Sequence, residues 1–245
     1  MGLFDKKFCD VCGAKIGMLG NKKLEDGNLC KDCAKKLSPW FSDRRHSTLE
    51  EIKAQLQYRE ENKEAVKNFH VTRTIGRNTK VLLDEDAQKF AVTSAKNLEE
   101  ANPDILDYSM VTGCRLDVDE DSYEIKRRVG ENEVSYNPPR FEYSYNFKVT
   151  INVNHPYFDE ISFQLNNSRV NTGERRGGDG TSPEYNDHVA MADEIKSTIM
   201  NARQEARDQQ AAQNAPKFAV TCKQCGATTI PDDYGRCEYC GGLAQ

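Results

Sequence analysis

Near its C-terminal end the sequence carries two matched motifs, Cys222-Lys-Gln-Cys225-Gly226 and Cys237-Glu-Tyr-Cys240-Gly241, with eleven residues between the two cysteine pairs. A structural zinc ion is bound by four thiolates in a tetrahedron, and each closely spaced pair supplies half of that shell. Glycine after each pair suits a turn with positive φ, in which backbone N–H groups point at the sulfurs. The spacing therefore predicts a zinc ribbon over residues 214–245.

A second quartet lies near the N-terminus: Cys9, Cys12, Cys30 and Cys33, with seventeen residues between its two pairs. The last pair is followed by Ala34-Lys-Lys-Leu37, which are good helix formers, and the run stops at Ser38-Pro39. A first pair closed by glycine, a turn-rich stretch and a last pair at a helix start are typical of a treble-clef finger. Residues 1–46 are therefore predicted to be a second module, so that the chain would bind two structural zinc ions.

Disulfides and a redox-active cysteine pair are the alternatives to zinc. Disulfides suit a secreted domain, but residues 1–8 lack the apolar run of a signal peptide. A thioredoxin-like site needs one pair in a βαβ context rather than two matched quartets. A catalytic zinc ion needs an open coordination position, and two complete quartets leave none. The ninth cysteine, Cys114, is unpaired and is expected to be a buried structural thiol.

The charge is unevenly distributed along the 245 residues, whose formal net charge is −5. Residues 1–46 hold ten Lys/Arg against six Asp/Glu, residues 216–245 hold three against three, and the middle of the chain carries −9. This balance argues against a general polyanion binder, whose surface should be basic. The sequence has no apolar stretch of about 18 residues, so no transmembrane segment is expected. Reduced cysteines and the lack of a signal peptide predict a cytoplasmic protein.

A connecting helix is predicted over residues 47–69. Ser47 and Glu50 match a capping box, so the helix should begin near Thr48. The middle of this helix, residues 59–63, is polar, which indicates a helix that bridges modules more than it builds a core.

Residues 70–213 are predicted to form an antiparallel β domain with a closing helix, which makes the chain an α+β protein. Short alternating runs begin at Val71, and the clearest strand places apolar side chains at every second position from Phe141 to Val153. Pro138-Pro139 is expected to break the preceding run. Residues 166–187 read as a glycine-rich surface loop, and a helix with three-four apolar spacing should run from Pro183 to Gln213.

The N-terminal residues resemble a bacterial family known as domain of unknown function 4428. The resemblance rests on Met1-Gly-Leu-Phe-Asp5, the Cys9 pair, Leu24-Glu-Asp-Gly-Asn-Leu-Cys30-Lys-Asp-Cys33 and Leu37-Ser-Pro-Trp-Phe-Ser-Asp-Arg-Arg-His46. It implies zinc binding and a bacterial source but no reaction. From the order of its elements alone, the central segment resembles the pleckstrin-homology-like fold, in which an antiparallel sheet or barrel precedes one long helix.

No catalytic motif stands out, and the four histidines are scattered over different elements. We therefore expect an adaptor or scaffold that binds a protein partner, with a location near a membrane as one option, rather than an enzyme. The alternative is a nucleic-acid-binding protein that uses the basic finger, with Trp40 stacking on a base. Its phosphate-binding candidates are Lys22, Lys23, Lys31, Lys35, Lys36, Arg44 and Arg45. The oligomeric state is not indicated by the sequence.

Overall fold

The computed structural model describes residues 7–174, 182–213, 218–232 and 234–244. It confirms an α+β fold rich in antiparallel sheet, with one four-cysteine cluster near each end. The chain divides into two compact units, Met1–Gln204 and Glu205–Gln245. The predicted start of the finger at Met1–Lys6 lies outside the described residues.

The N-terminal finger consists of two short hairpins followed by a one-turn helix. Its strands pair as β1 with β2 and β3 with β4: β1 Lys7–Phe8, β2 Lys15–Ile16, β3 Lys22–Lys23 and β4 Asn28–Leu29. Helix α1, Lys31–Ala34, follows, and a turn of 3-10 helix covers Arg44–His46. Buried apolar side chains of the finger pack with Ile52 of the next helix, so the finger is joined to it by a shared core.

Helix α2, Leu49–Lys67, begins with a capping box one residue later than the sequence predicted. Thr48 Oγ1 accepts a hydrogen bond from Glu51 N, and the Glu51 carboxylate accepts one from Thr48 N at 2.7 Å. The hydroxyl of Ser47 instead donates to the carbonyl of Asp43, and Thr48 is the N-cap. The predicted box with Glu50 is therefore replaced by the equivalent box with Glu51.

The polar middle of α2 is partly buried. Arg59 is 6 % exposed, and its guanidinium contacts the carboxylate of Asp104 at 2.7 Å. The same carboxylate, which has no exposed surface, accepts hydrogen bonds from Ser38 Oγ at 2.8 Å and Tyr58 OH at 3.1 Å. Helix α2 thus connects the finger to the segment around Asp104, which precedes a short strand at Leu106–Asp107. The connection is made by buried polar side chains rather than by solvated ones.

Asparagine side chains complete this buried polar network. Asn62 Nδ2 donates to the carbonyl of Pro103 at 2.7 Å, and Asn62 Oδ1 accepts from the backbone N–H of Ile105. Asn102 adopts the left-handed conformation at the end of helix α3, Leu98–Ala101, and its amide donates to the carbonyl of Arg59. Each buried polar group named here therefore has a partner, as low-dielectric surroundings require.

The first of two four-stranded sheets is an antiparallel meander in the order β5-β6-β7-β8. Its strands are β5 Arg73–Ile75, β6 Lys80–Asp84, β7 Lys89–Thr93 and β8 Leu106–Asp107. The second sheet is built on β10, Asn132–His155, which pairs with β9, Val111–Val129, along one edge. The other edge of β10 pairs with β11, Phe158–Gln164, and with β12, Val170–Glu174.

Neither sheet closes into a barrel within the described residues, so the barrel form of the pleckstrin-homology-like expectation is not formed. Strands β9 and β10 pair with each other in one long hairpin, β10 also pairs with β11 and β12, and neither pairs with a strand of the first sheet among the described residues. The alternation predicted from Phe141 to Val153 is borne out from Tyr145 to Val153, where every second side chain is buried.

Two local predictions in this region were wrong. Pro138-Pro139 does not end a strand, because β10 passes through it, and the ladder to β9 is irregular between Ser135 and Arg140. An interruption of this kind accommodates residues that lack a backbone N–H. Strand β12 lies inside the predicted surface loop, and residues 175–181 of that loop lie outside the described residues.

Most of the long hairpin has no core beneath it. Residues 117–141, here called the arm, contain no buried residue, and Tyr123 is 70 % exposed. On β9, residues 117–123 of the arm pair with residues 142–148 of β10, which is also paired with β12 and β11, and residues 124–141 form the two-stranded end of the hairpin.

Helix α4 spans Pro183–Gln213, as the sequence predicted. Ile195 and Ile199 are fully buried, and the ring of Tyr185 packs edge-on against Phe147 of β10. His188 is buried and stacks on the same phenylalanine at 5.1 Å. Within the described residues, no helix is long and apolar enough to cross a membrane.

We expect Asp104→Asn to lower the free energy of unfolding by about 3 kcal/mol, because the buried guanidinium of Arg59 would lose its charged partner. Urea denaturation of the metal-loaded protein measures this change. Glu60→Gln is the control, since it breaks an exposed pair with Lys63 and should cause no measurable change. Equal stability of the Asp104→Asn variant and the unmodified protein would contradict this account.

Candidate metal centres and a neighbouring cleft

Three of the four cysteine pairs form the same backbone turn. In each, the N–H of the glycine after the pair donates to the carbonyl of the first cysteine, at 2.7 Å for Cys9 and 2.8 Å for Cys222 and Cys237. Gly13, Gly226 and Gly241 have φ between 69° and 74°, which side chains with a Cβ adopt rarely. The glycine that follows each pair in the sequence is therefore required by the turn.

The fourth pair is held by a helix start. Cys30 is the N-cap of α1, and its Sγ accepts a hydrogen bond from the backbone N–H of Cys33 at 3.4 Å. The second pair of the finger therefore differs from the other three in the way that the sequence predicted. A helix N-terminus adds a partial positive charge beside this sulfur.

The sulfurs of each quartet lie at distances that suit a shared metal ion. The ligand atoms of each quartet all lie within 4.8 Å of one another. Cys12 and Cys30 are separated by 3.7 Å, Cys222 and Cys240 by 3.6 Å, and Cys225 and Cys237 by 3.7 Å. A tetrahedron with metal–sulfur bonds of about 2.3 Å places its sulfurs about 3.8 Å apart. All eight cysteines are free thiols, and each quartet could hold one metal ion.

The thiols within a quartet differ in acidity. Burial raises the pKa of Cys9, but backbone N–H groups, among them those of Cys12 and Cys30, outweigh it and lower the pKa to about 6. Backbone N–H groups of Cys225 and Gln224 lower the pKa of Cys222 to about 7. Burial and the neighbouring sulfurs raise the pKa of Cys33. Burial also raises the pKa of Cys237, but backbone N–H groups outweigh it and lower the pKa. At least one thiolate thus forms readily in each quartet, and a bound cation would be needed to stabilise all four together.

Cys114 is not part of either quartet. It lies on β9 opposite Ile151 and is half-buried. Burial raises its pKa to about 11, so the thiol is mostly protonated and unreactive at neutral pH. This agrees with the structural role expected from the sequence.

Beside the finger lies an open cleft of about 520 Å³ between Pro39–Asp43 and the turn that joins β10 to β11. Trp40 is half-buried in its wall, opposite the rings of His155 and Tyr157. The lining also contains three carboxylates, those of Asp43, Asp159 and Glu160. Asp43 is hydrogen-bonded to His46 at 2.6 Å, and Glu160 lies 3.8 Å from the guanidinium of Arg115. The cleft therefore combines aromatic faces with carboxylates, two of which also contact a basic side chain.

Sequence reasoning treated the residues of this cleft separately. The sequence associates Trp40 only with stacking on a base, and it gives no role to His155. The ring centre of Tyr58 of α2 lies 5.0 Å from that of His155 and 5.4 Å from that of Tyr157. The aromatic side of the cleft is therefore supported by α2, the same helix that contacts Asp104. Burial lowers the pKa of His155, which keeps its ring neutral at neutral pH. No sequence signal connects residue 40 with residue 155.

The basic residues of the finger are not gathered into one site with Trp40. Arg44 donates a hydrogen bond to the carbonyl of Lys23, and six of the seven candidates are exposed. The carboxylates beside Trp40 would repel a nucleic-acid phosphate at this position.

Comparison with known families gives one result for the N-terminal part. A family model described as a domain of unknown function, DUF4428, matches residues 7–55, which include the finger and the first turns of α2. No curated protein matches the chain, and neither does any solved structure.

We expect the purified chain to contain two metal ions, because each quartet offers four sulfurs at suitable distances. Cys237→Ser should leave one ion, measured by elemental analysis of the protein after dialysis. Cys114→Ser is the matched control and should keep both ions. A control variant that loses metal, or a Cys237→Ser variant that keeps two ions, would contradict the assignment of ligands.

Proposed function

We propose that the protein is a zinc-binding adaptor whose cleft beside the finger binds a basic segment of a partner protein. The observation that carries the proposal is the cleft itself, whose lining contains Trp40 together with Asp43, Asp159 and Glu160. An aromatic face and nearby carboxylates together favour a lysine or arginine side chain. The cleft volume of about 520 Å³ is sufficient for a few side chains of a peptide.

The ions in the two quartets are proposed to be zinc, with Cys9, Cys12, Cys30 and Cys33 as one ligand set and Cys222, Cys225, Cys237 and Cys240 as the other. Four soft thiolates in a closed tetrahedral arrangement favour zinc among the abundant divalent metals. Both sites would be structural, since four protein ligands leave no position for a substrate. Free thiols in these positions also support a reducing compartment, the cytoplasm of a bacterial cell in this proposal.

The structural zinc of the finger would serve the cleft indirectly. Trp40 follows α1 by six positions, and α1 begins at the cysteine pair that completes the finger quartet. A finger of this size has too small an apolar core to fold without metal. Zinc would therefore keep Trp40 in place by keeping the finger folded.

Nucleic-acid binding is supported less well than protein binding. The residues next to Trp40 are acidic, and the basic side chains are spread over β3, α1 and the 3-10 turn. An aromatic platform for single-stranded nucleic acid needs a positively charged groove along its side.

The adaptor proposal is tested with a fluorescent arginine-rich peptide and the zinc-loaded full chain, by fluorescence anisotropy. We expect Trp40→Ala and Asp159→Asn each to raise the Kd about tenfold, because each removes one half of the cation site. Glu99→Gln on α3 is the control, since it removes an exposed negative charge outside the cleft, and its Kd should be unchanged.

The same titration with single-stranded DNA at low salt decides between the two functions. Equal peptide affinity in all variants would show that the cleft is not the binding site. DNA binding that weakens steeply with salt, without peptide binding, would replace the adaptor proposal by the nucleic-acid one.

A further inference from the structure

The outer edge of β9 is long. In the part of the chain that the structure describes, β10 is the one strand that pairs with β9. Its 19 residues include no proline and a single glycine, Gly113, so most of the strand can accept another strand. An edge of this kind presents a row of free backbone donors and acceptors to a further strand.

The arm has a physical reason to acquire a partner. Its outer part, residues 124–141, is a two-stranded ribbon without a buried residue, and such ribbons are only marginally stable in water. Adding strands at the free edge would turn the ribbon into a wider sheet. The face that holds Tyr123 also holds Arg127, four positions along β9, and Val134, which lies opposite Arg127 on β10. Both are exposed. Tyrosine and arginine are enriched in protein interfaces.

The charges along this edge are segregated by sign. Four acidic residues lie in the first part of the arm: Asp117, Asp119, Glu120 and Asp121. Three basic residues lie in the last part of the same strand: Lys126, Arg127 and Arg128. When a strand pairs antiparallel with a copy of itself, its acidic part lies beside the basic part of the other copy. The edge is therefore complementary to itself.

Symmetry restricts the register of such a pairing. A two-fold axis normal to the sheet places the same face of both copies on one side of the joined sheet. Residues directly opposite each other share a face, and side chains alternate along a strand, so the two residue numbers of each opposed pair must both be odd or both be even. With Tyr123 opposite Tyr123, Asp119 lies opposite Arg127 and Glu120 opposite Lys126. If the register is shifted by one permitted step in one direction, Glu124 of one copy lies opposite Glu124 of the other. If it is shifted by one step in the other direction, Glu120 of one copy lies opposite Glu124 of the other. Like charges directly opposite are destabilising, so the register centred on Tyr123 is preferred.

We propose that two copies of this chain associate through antiparallel pairing of their β9 edges, centred on Tyr123. Each dimer would contain two Asp119–Arg127 pairs and two Glu120–Lys126 pairs across the new junction. Arg127 already lies on this face, with its guanidinium 5.9 Å from the centre of the Tyr136 ring. Asp119 contacts Arg169 in an exposed ion pair, which holds little energy and can be shared or exchanged.

The proposal is tested with the zinc-loaded full chain by sedimentation equilibrium. The unmodified protein, of 27.8 kDa, should sediment as a dimer. A basic-arm variant carries Asp119→Arg and Glu120→Lys, and an acidic-arm variant carries Lys126→Glu and Arg127→Asp. Each alone should raise the dimer dissociation constant at least about tenfold, because like charges become opposed across the junction. Mixed in equal amounts, the two variants should form a heterodimer, since every opposed pair is then of opposite sign.

Recovery in the mixture shows that both variants are folded, so loss of the homodimer cannot be attributed to unfolding. Tyr123→Cys, combined with Cys114→Ser, tests the register, because residues paired on the two-fold axis are close enough to form a disulfide. Val134→Cys is the matched control on the other strand and should not cross-link. A monomer at all concentrations, or a dimer that both charge variants leave intact, would overturn the proposal. An arm that binds nucleic acid as a monomer would overturn it as well.

Discussion

The carboxylate of Asp104 is the point at which the N-terminal finger, the connecting helix and the first sheet meet. Removing a charge from water is costly, and the cost is offset only where partners supply both charge and hydrogen bonds. Here Arg59 supplies the charge, while Ser38 of the finger and Tyr58 of α2 supply hydrogen bonds. Because Ser38 belongs to the finger, Tyr58 and Arg59 to α2, and Asp104 to the segment before β8, the network is complete only when these three parts adopt one arrangement. The aromatic ring of Tyr58 then supports the turn that forms one wall of the cleft.

The local features of the structure were predictable because local chemistry determines them. A cysteine pair followed by glycine allows one compact turn, and three such turns were recognised from Gly13, Gly226 and Gly241. The quartets followed from spacing, since four thiols are brought together wherever two such turns face each other. The long helix was predicted to its ends, because apolar residues at three-four spacing and Pro183 at its start are signals within the helix itself. These local signals do not identify the metal or the function.

The features that sequence reasoning missed depend on residues far apart in the chain. The polar middle of α2 suggested a solvated bridge, because the sequence does not show that Arg59 meets a carboxylate 45 residues later. Pro138-Pro139 suggested a strand end, but the ladder on either side is strong enough to continue past it. The expectation of a barrel assumed that the strands form one sheet, whereas β9 and β10 pair mainly with each other. The cleft was missed for the same reason, since its walls are more than a hundred residues apart.

Average charge is a poor guide to what this chain binds. The segment 47–215 carries −9, which counted against nucleic acid and anionic surfaces, yet that total combines local features of opposite sign. The cleft concentrates carboxylates beside Trp40, while the arm separates acidic from basic residues along one strand. At physiological salt, exposed charges more than about 8 Å apart are largely screened from one another. A partner therefore responds to the local arrangement of charges rather than to the net charge of the segment. A basic segment for the cleft and a second copy for the arm are therefore compatible with one acidic chain, because each surface presents a different pattern of charge to its partner.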